Sequence, residues 1–206
     1  MSTITVYGAT GMVGQQIAEE AVRRGHHVHG VARHAPERPL GRVDYELGDL
    51  AETAQLVARA AGSDVVVIAV PPDRSGGSHE PLLEGHRDLV AAAPKARLFV
   101  VGGAGSLLTD DGTRLVDTPD FPEAYKAEAT TFAKVLEFYR AAGDTIDWVM
   151  ACPAPEIGPG AATEKYVIGG DSPVGDFVST GTFAVAALDE IEEPTVRNGR
   201  FTVANA

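Results

Sequence analysis

The first fourteen residues constrain this chain more than any others. Thr3–Tyr7 reads as a strand, Gly8-Ala9-Thr10-Gly11-Met12-Val13-Gly14 follows at once, and Met12–Arg24 reads as a helix with Val13, Ile17, Ala21 and Val22 along one apolar stripe. Three glycines spaced by three at a strand-to-helix junction each have a use. Gly8 permits the tight turn out of the strand, Gly11 lets backbone approach a pyrophosphate, and Gly14 lets the helix pack closely on the sheet. The free N–H groups at the start of the helix, from Met12 and Val13 onward, and the helix dipole then favour phosphate. The Thr10 hydroxyl is a further donor. The alternative is a glycine turn that holds no ligand, and the strand–helix order of the rest of the chain argues against it.

That order is regular. Gly25 stops the first helix, as a glycine just past a last turn commonly does. His27–Arg33 and Val43–Leu47 read as strands, Ala51–Ala61 as a helix ended by Gly62. Asp64–Val70 is a continuous apolar run of the kind buried on both faces of a parallel sheet. Helices follow at about Glu80–Ala93 and Pro122–Ala142, with a fifth strand at Arg97–Val101 between them and a sixth at Ile146–Ala151. Cys152–Pro173 is rich in glycine and proline and reads as loop with a short strand at Tyr166–Ile168. Thr180–Glu192 reads as a last helix and Phe201–Ala204 as a last strand. The expectation is an α/β fold: a Rossmann-type doubly wound parallel sheet with helices on both faces and a small C-terminal cap. One domain spans 1–206, with 152–180 contributing substrate-side loops.

Composition removes several functions. The chain has 206 residues, enough for one sizeable core. Its net charge of −12 argues against nucleic acid and anionic membranes as partners. The longest apolar run, Val65–Pro72, is far too short to span a bilayer. Thr3–Tyr7 leaves no room for a basic and then apolar leader, so a cytoplasmic location is expected. The single cysteine, Cys152, makes no internal disulfide and no cysteine-based zinc site. His26, His27 and His29 lack further ligands, so no metal is expected. The partner is a small-molecule substrate, and the protein is read as a monomer or homodimer.

The end of the second strand selects the cofactor. An acid there would hold the ribose hydroxyls of NAD, and an arginine suits the extra phosphate of NADP. The strand ends Val31-Ala32-Arg33-His34, so NADP (NADPH) is favoured, with Arg38 able to assist and Arg42 a weaker candidate. A surface role at the sheet edge is the other account of Arg33. Asp49, after the third strand, either accepts from the adenine amine or caps the next helix. Ala69-Val70-Pro71, which ends the fourth strand, should border the cofactor's ribose with its backbone.

The GATGMVG junction, Gly48-Asp49-Leu50, and Val101-Gly102-Gly103-Ala104-Gly105-Ser106 together resemble the atypical short-chain dehydrogenase/reductases. Leu115–Pro122 followed by Tyr125-Lys126 also looks family-like. Within that group the chain is similar to the compact NAD(P)H-binding family of the biliverdin-IX-beta and flavin reductases and the nitrogen-metabolite-repression-type regulators. The resemblance implies NADPH lying across the strand ends, with its nicotinamide near Gly102–Ser106 and Ala151–Pro155. One departure stands out. The usual Tyr-x-x-x-Lys pair is absent, because Lys126 directly follows Tyr125 and position 129 is alanine. Side chains about 100° apart on a helix do not reproduce the i, i+4 geometry.

The candidate catalytic residues are Tyr125 as proton donor, Ser106 second, and Lys126 as a contact to ribose or carbonyl. Their other readings are a packing tyrosine, a loop serine and a solvated lysine. His79 and His86 read as surface histidines, and Cys152 as a buried residue rather than a nucleophile. Phe121, Tyr125 and Tyr166 are expected to line an aromatic pocket. The leading function is an NADPH-dependent oxidoreductase passing hydride to a flavin, quinone or carbonyl compound. The alternatives are a non-catalytic NADP(H)-binding redox sensor and an NAD(P)-dependent epimerase/dehydratase-like enzyme.

Overall fold

The structure is a computed structural model that describes all residues, 1–206. In chain order it contains β1 (Thr3–Tyr7), α1 (Met12–Arg23), β2 (His27–Ala32), β3 (Val43–Leu47), α2 (Thr53–Ala61), β4 (Val65–Ile68), α3 (Glu80–Ala92) and β5 (Arg97–Val101). These are followed by α4 (Glu123–Ala142), β6 (Trp148–Pro153), β7 (Glu156–Gly158), β8 (Tyr166–Gly169), β9 (Phe177–Ser179), α5 (Thr180–Glu192) and β10 (Gly199–Asn205). Eight strands form one sheet in the order β3-β2-β1-β4-β5-β6-β10-β8. All neighbours are parallel except β8, which runs antiparallel to β10. The first six follow the 3-2-1-4-5-6 order of a doubly wound fold, as expected from the sequence.

Strand residues alternate between two cores. On one face Ile4, Val6, Val67 and Phe99 pack with Ile17 of α1 and Phe183 and Leu188 of α5. On the other, Tyr7, Val66, Leu98 and Trp148 pack with Leu56 of α2, Leu89 of α3 and Val135 and Tyr139 of α4. A strand such as β4, with every residue buried, feeds both cores at once. This explains its unbroken apolar sequence.

Several boundaries move, each for a local reason. The second strand stops at Ala32, so Arg33 stands just past the ladder. Helix α2 starts at Thr53 rather than Ala51, because Ala51 donates its N–H to Asp49 Oδ1 in a side-chain turn. The fourth strand ends at Ile68, leaving Ala69 and Val70 in the crevice loop. Gly25 ends α1 with φ 87° as anticipated.

The glycine- and proline-rich segment holds more structure than its composition suggests. β7 and β9 pair in a small parallel sheet of their own. The 160–163 loop lies over the first turn of α5: Ser179 Oγ donates to the Ala161 carbonyl and accepts from the Thr182 N–H at 3.2 Å. This segment is the cap. No helix is long and apolar enough to cross a membrane.

Candidate functional site: the crevice at the sheet switch point

The crevice opens where the sheet order reverses, between the carboxyl ends of β1 and β4. Its floor is the glycine loop. Gly8 has φ 82°, a region that side chains rarely adopt. A Cβ on Gly8 would lie 2.8 Å from the Ala69 carbonyl carbon, and one on Gly14 would lie 2.8 Å from the Gly8 carbonyl carbon. Gly8 and Gly14 are therefore packing requirements of the β1–β4–α1 junction. Gly11 differs, because its Cβ would meet only the Gly8 oxygen, at 3.3 Å. Its bareness keeps backbone open on the outer side, where Thr10, Gly11 and Met12 are exposed.

Helix α1 begins there with Gly11 extended (φ −80°, ψ 166°), no side-chain cap and no acid in the first turn. The N–H groups of Met12, Val13 and Gly14 have no acceptor within the protein. Unpaired first-turn donors and the helix dipole together suit an anion. A dinucleotide's pyrophosphate fits this cradle in charge and in close backbone approach.

From the loop a cleft of about 450 Å³ runs toward β2 and β3, lined by Ala9, Thr10, Gln15, Ala35, Pro36, Glu37, Arg38 and Tyr45. Arg38 was anticipated; Gln15, Glu37 and Tyr45 were not. Tyr45 on β3 lies flat against Gly30 on β2, whose Cβ would sit 2.9 Å from the ring. That pairing is invisible to a motif search, because the two residues meet only through strand register. Arg33 is exposed beside this cleft, and neither Arg33 nor Arg38 has a carboxylate within ion-pair distance. Across the crevice, Asp73 holds its carboxyl below the usual range. The Gly77 and Ser75 hydrogen bonds are the main causes, and the Arg33 charge contributes.

The turn after β3 is tightly made. Asp49 N–H donates to Glu52 at 3.0 Å and Asp49 Oδ1 accepts from Ala51 N–H at 3.0 Å, so this carboxylate does shape the entry to α2. Leu50 is buried, its carbonyl against Gly85 of α3.

On the other side of the crevice Ala69 and Val70 follow β4, and Gly102 and Gly103 follow β5. Cβ atoms on Gly102 and Gly103 would lie 2.8 Å from Met150 and 3.1 Å from Phe132. Packing on β6 and α4 accounts for both glycines whatever else they contact. Ser106 is buried; its Oγ donates to the Gly103 carbonyl at 3.2 Å and accepts from Arg200 at 3.0 Å. That hydroxyl is committed to the junction of β5 and β10. Cys152 beside it is pushed up to about 11 by burial, which leaves the thiol protonated at neutral pH.

Tyr125 is on the first turn of α4 and 64% exposed. Lys126 faces Glu123 at 3.6 Å instead of the tyrosine. The nearby cation is Arg74, on the loop after β4, which clasps Glu128 of α4 at 2.7 and 2.8 Å. His79 fastens the same loop: Nδ1 lies 2.7 Å from Thr131 Oγ1 and Nε2 3.0 Å from the Asp73 carbonyl. His79 is therefore a clasp, and His86 is fully buried against Tyr139, so neither is a surface histidine. The expected aromatic trio does not assemble. Tyr166 packs in the α1/α5 core with its hydroxyl 2.5 Å from Asp189, because its register opposite Asn205 puts it on the same face as Phe201 and Val203. Phe121 lies against Gly105.

This geometry matches its relatives. A family model described as NAD(P)H-binding matches residues 8–194. The uncharacterized protein YwnB of Bacillus subtilis is 35% identical, with 97% of each chain covered. Among solved structures, a putative exported protein from Burkholderia pseudomallei is 34% identical with a TM-score of 0.83, covering 99% of this chain and 100% of its own. A putative NADH-flavin reductase from Streptococcus pneumoniae TIGR4 is 28% identical with a TM-score of 0.82, covering 100% of both chains. With its glycine cradle and doubly wound sheet, the chain belongs to the NAD(P)H-binding family and carries a nicotinamide-dinucleotide site on an oxidoreductase-like fold.

Proposed function

We propose that the protein is an NADPH-dependent oxidoreductase that passes hydride to a small organic acceptor: a flavin, a quinone or a carbonyl compound. One observation carries the cofactor choice. The cleft leading away from the phosphate cradle is lined by Arg38 and Glu37, Arg33 is exposed on the same β2–β3 connection, neither arginine is paired with a carboxylate, and no acid closes β2. Two free cations beside a ribose favour a 2′-phosphate over bare hydroxyls.

When bound, the cofactor supplies the hydride. The protein binds and orients. The N–H groups of Met12, Val13 and Gly14, with the Thr10 hydroxyl, hold the pyrophosphate. Asp49 and Leu50 border the adenine. Ala69, Val70, Gly102 and Gly103 form a wall with little side chain along the nicotinamide half. Flavins and quinones take up hydride with a proton drawn from water, so they suit an exposed Tyr125 without a partnering lysine. The flavin-reductase name of the pneumococcal neighbour supports the same acceptor class.

Anaerobic NADPH oxidation with FMN and with quinones tests the proposal, and it fails if neither is reduced. Replacing Arg33 with alanine is expected to weaken NADPH binding by about 2 kcal/mol, the worth of a lost charge-assisted hydrogen bond, and to leave NADH nearly unchanged. Equal losses would overturn the NADP assignment. The Tyr125-Lys126 arrangement favours one second reading, a redox sensor, for which NADP and NADPH differ in affinity and no acceptor turns over.

A further inference from the structure

We infer that Arg59 is a positioning residue for the adenosine half of the cofactor, holding the Gly48–Leu50 turn at a set distance from the phosphate loop. The inference rests on the nucleotide-site reading above. Arg59 lies in the last turn of α2, and its side chain is only 12% exposed. Its Nε and one terminal nitrogen grip the two Glu46 oxygens at 3.0 and 2.7 Å. The same terminal nitrogen reaches Gln55 Oε1 at 2.9 Å and the Leu47 carbonyl at 3.4 Å. The other donates to the Tyr7 hydroxyl at 3.3 Å.

One planar group thus ties the carboxyl end of β1, the carboxyl end of β3 and helix α2 together. Gly48 rests directly on it, since a Cβ there would lie 3.1 and 3.2 Å from its two terminal nitrogens. The other anchors of the turn are the Gly48 N–H donating to the Ala32 carbonyl at 3.0 Å, Asp49 to Glu52 and Ala51, and Leu50 against Gly85. Arg59 is the side chain whose hydrogen bonds join Glu46 and Leu47, at the foot of the turn, to Tyr7, the residue that precedes Gly8. A guanidinium offers five donors in a fixed fork, whereas a lysine ammonium can neither fork around Glu46 nor lie flat beneath Gly48. With its side chain 12% exposed and its donors engaged by Glu46, Gln55, Leu47 and Tyr7, Arg59 acts through Gly48–Leu50 rather than by contact with the cofactor.

Arg59→Met and Arg59→Lys test this by calorimetry with NADPH and with adenosine 2′,5′-bisphosphate, alongside thermal midpoints. Both ligands are expected to lose about tenfold in affinity, in line with the cost of a small displacement of a binding group. In turnover the loss falls on the KM for NADPH rather than on kcat, and lysine does no better than methionine. Should neither variant fold, Glu46→Gln removes one charge of the clasp at a 62% exposed side chain and is expected to give a smaller loss on the same two ligands. Unchanged affinity in a folded variant, rescue by lysine, or a fall in kcat equal to that in kcat/KM would overturn the inference. Failure of the wild-type protein to bind adenosine bisphosphate would instead remove the underlying site reading, and the inference with it.

Discussion

The two halves of the crevice are built from different materials. The adenosine half is made of backbone and strand register: Gly8, Gly11 and Gly14, the Gly30–Tyr45 contact, and the turn resting on Arg59. The acceptor half adds to its bare Ala69, Gly102 and Gly103 wall a set of side chains from the loop after β4 and the early turns of α4: Arg74 clasping Glu128, His79 against Thr131, and Tyr125 in the open. Backbone geometry tolerates almost no substitution. Exposed side chains on loops can change with little effect on the fold and so are free to set which acceptor is used.

The sharpest test of that contrast is Gly14→Val. Its side chain would meet the Gly8 carbonyl, a backbone atom that cannot move aside. A stability loss of about 3 kcal/mol is expected in thermal unfolding, with cofactor binding abolished. If Gly14→Val binds NADPH normally, the adenosine half is not the rigid element described here.

The core beneath the acceptor half answers to pH. Burial pushes His86 down to about 3, so it is neutral in the folded protein. The unfolded chain takes up a proton near pH 6.5, which the folded protein resists. Stability from this group is present above pH 6.5 and is lost as pH falls toward 3, at about 1.4 kcal/mol per unit at most. His86→Gln should flatten the acid limb of the unfolding profile over that window. An unchanged slope would show that other groups govern it.

The Arg33→Ala comparison of NADPH with NADH comes next in size. Smallest of all, Tyr125→Phe should lower kcat for flavin or quinone by less than about tenfold, because water can deliver the proton. A loss of a hundredfold or more would give Tyr125 the catalytic role and make the acceptor half less permissive than argued.

What the sequence disclosed follows the same division. Gly8–Gly14 is legible because it acts within its own strand-to-helix junction, where spacing alone fixes geometry. Tyr45 and Arg59 are not, because their partners lie 15 and 52 positions away and meet only once β1, β2 and β3 are in register. β7 and β9 escape a periodicity search because three residues are too few to show one. Tyr166 is misassigned for a related reason: the β8–β10 register sets its face of the sheet and carries its hydroxyl to Asp189. Asp49 allowed two readings, an adenine contact or a helix cap; its carboxylate instead closes a turn on Ala51, and Glu52 stands at the N-cap of α2 with no side-chain cap bond.

The packing of α1 against α5 bears on how the chain is made. Arg24 at the end of α1 reaches Glu192 at 2.6 Å and Asp189 at 2.7 Å in α5, and His26 meets Glu192 at 3.0 Å. One whole core therefore joins α1 to residues some 165 positions further along the chain. While the ribosome is still working, Ile4, Val6 and Ile17 have no Phe183 or Leu188 to cover them. Such long-range closure slows folding and leaves apolar surface exposed on the nascent chain. The helix that follows the phosphate loop is thus complete in its packing only once α5 is in place.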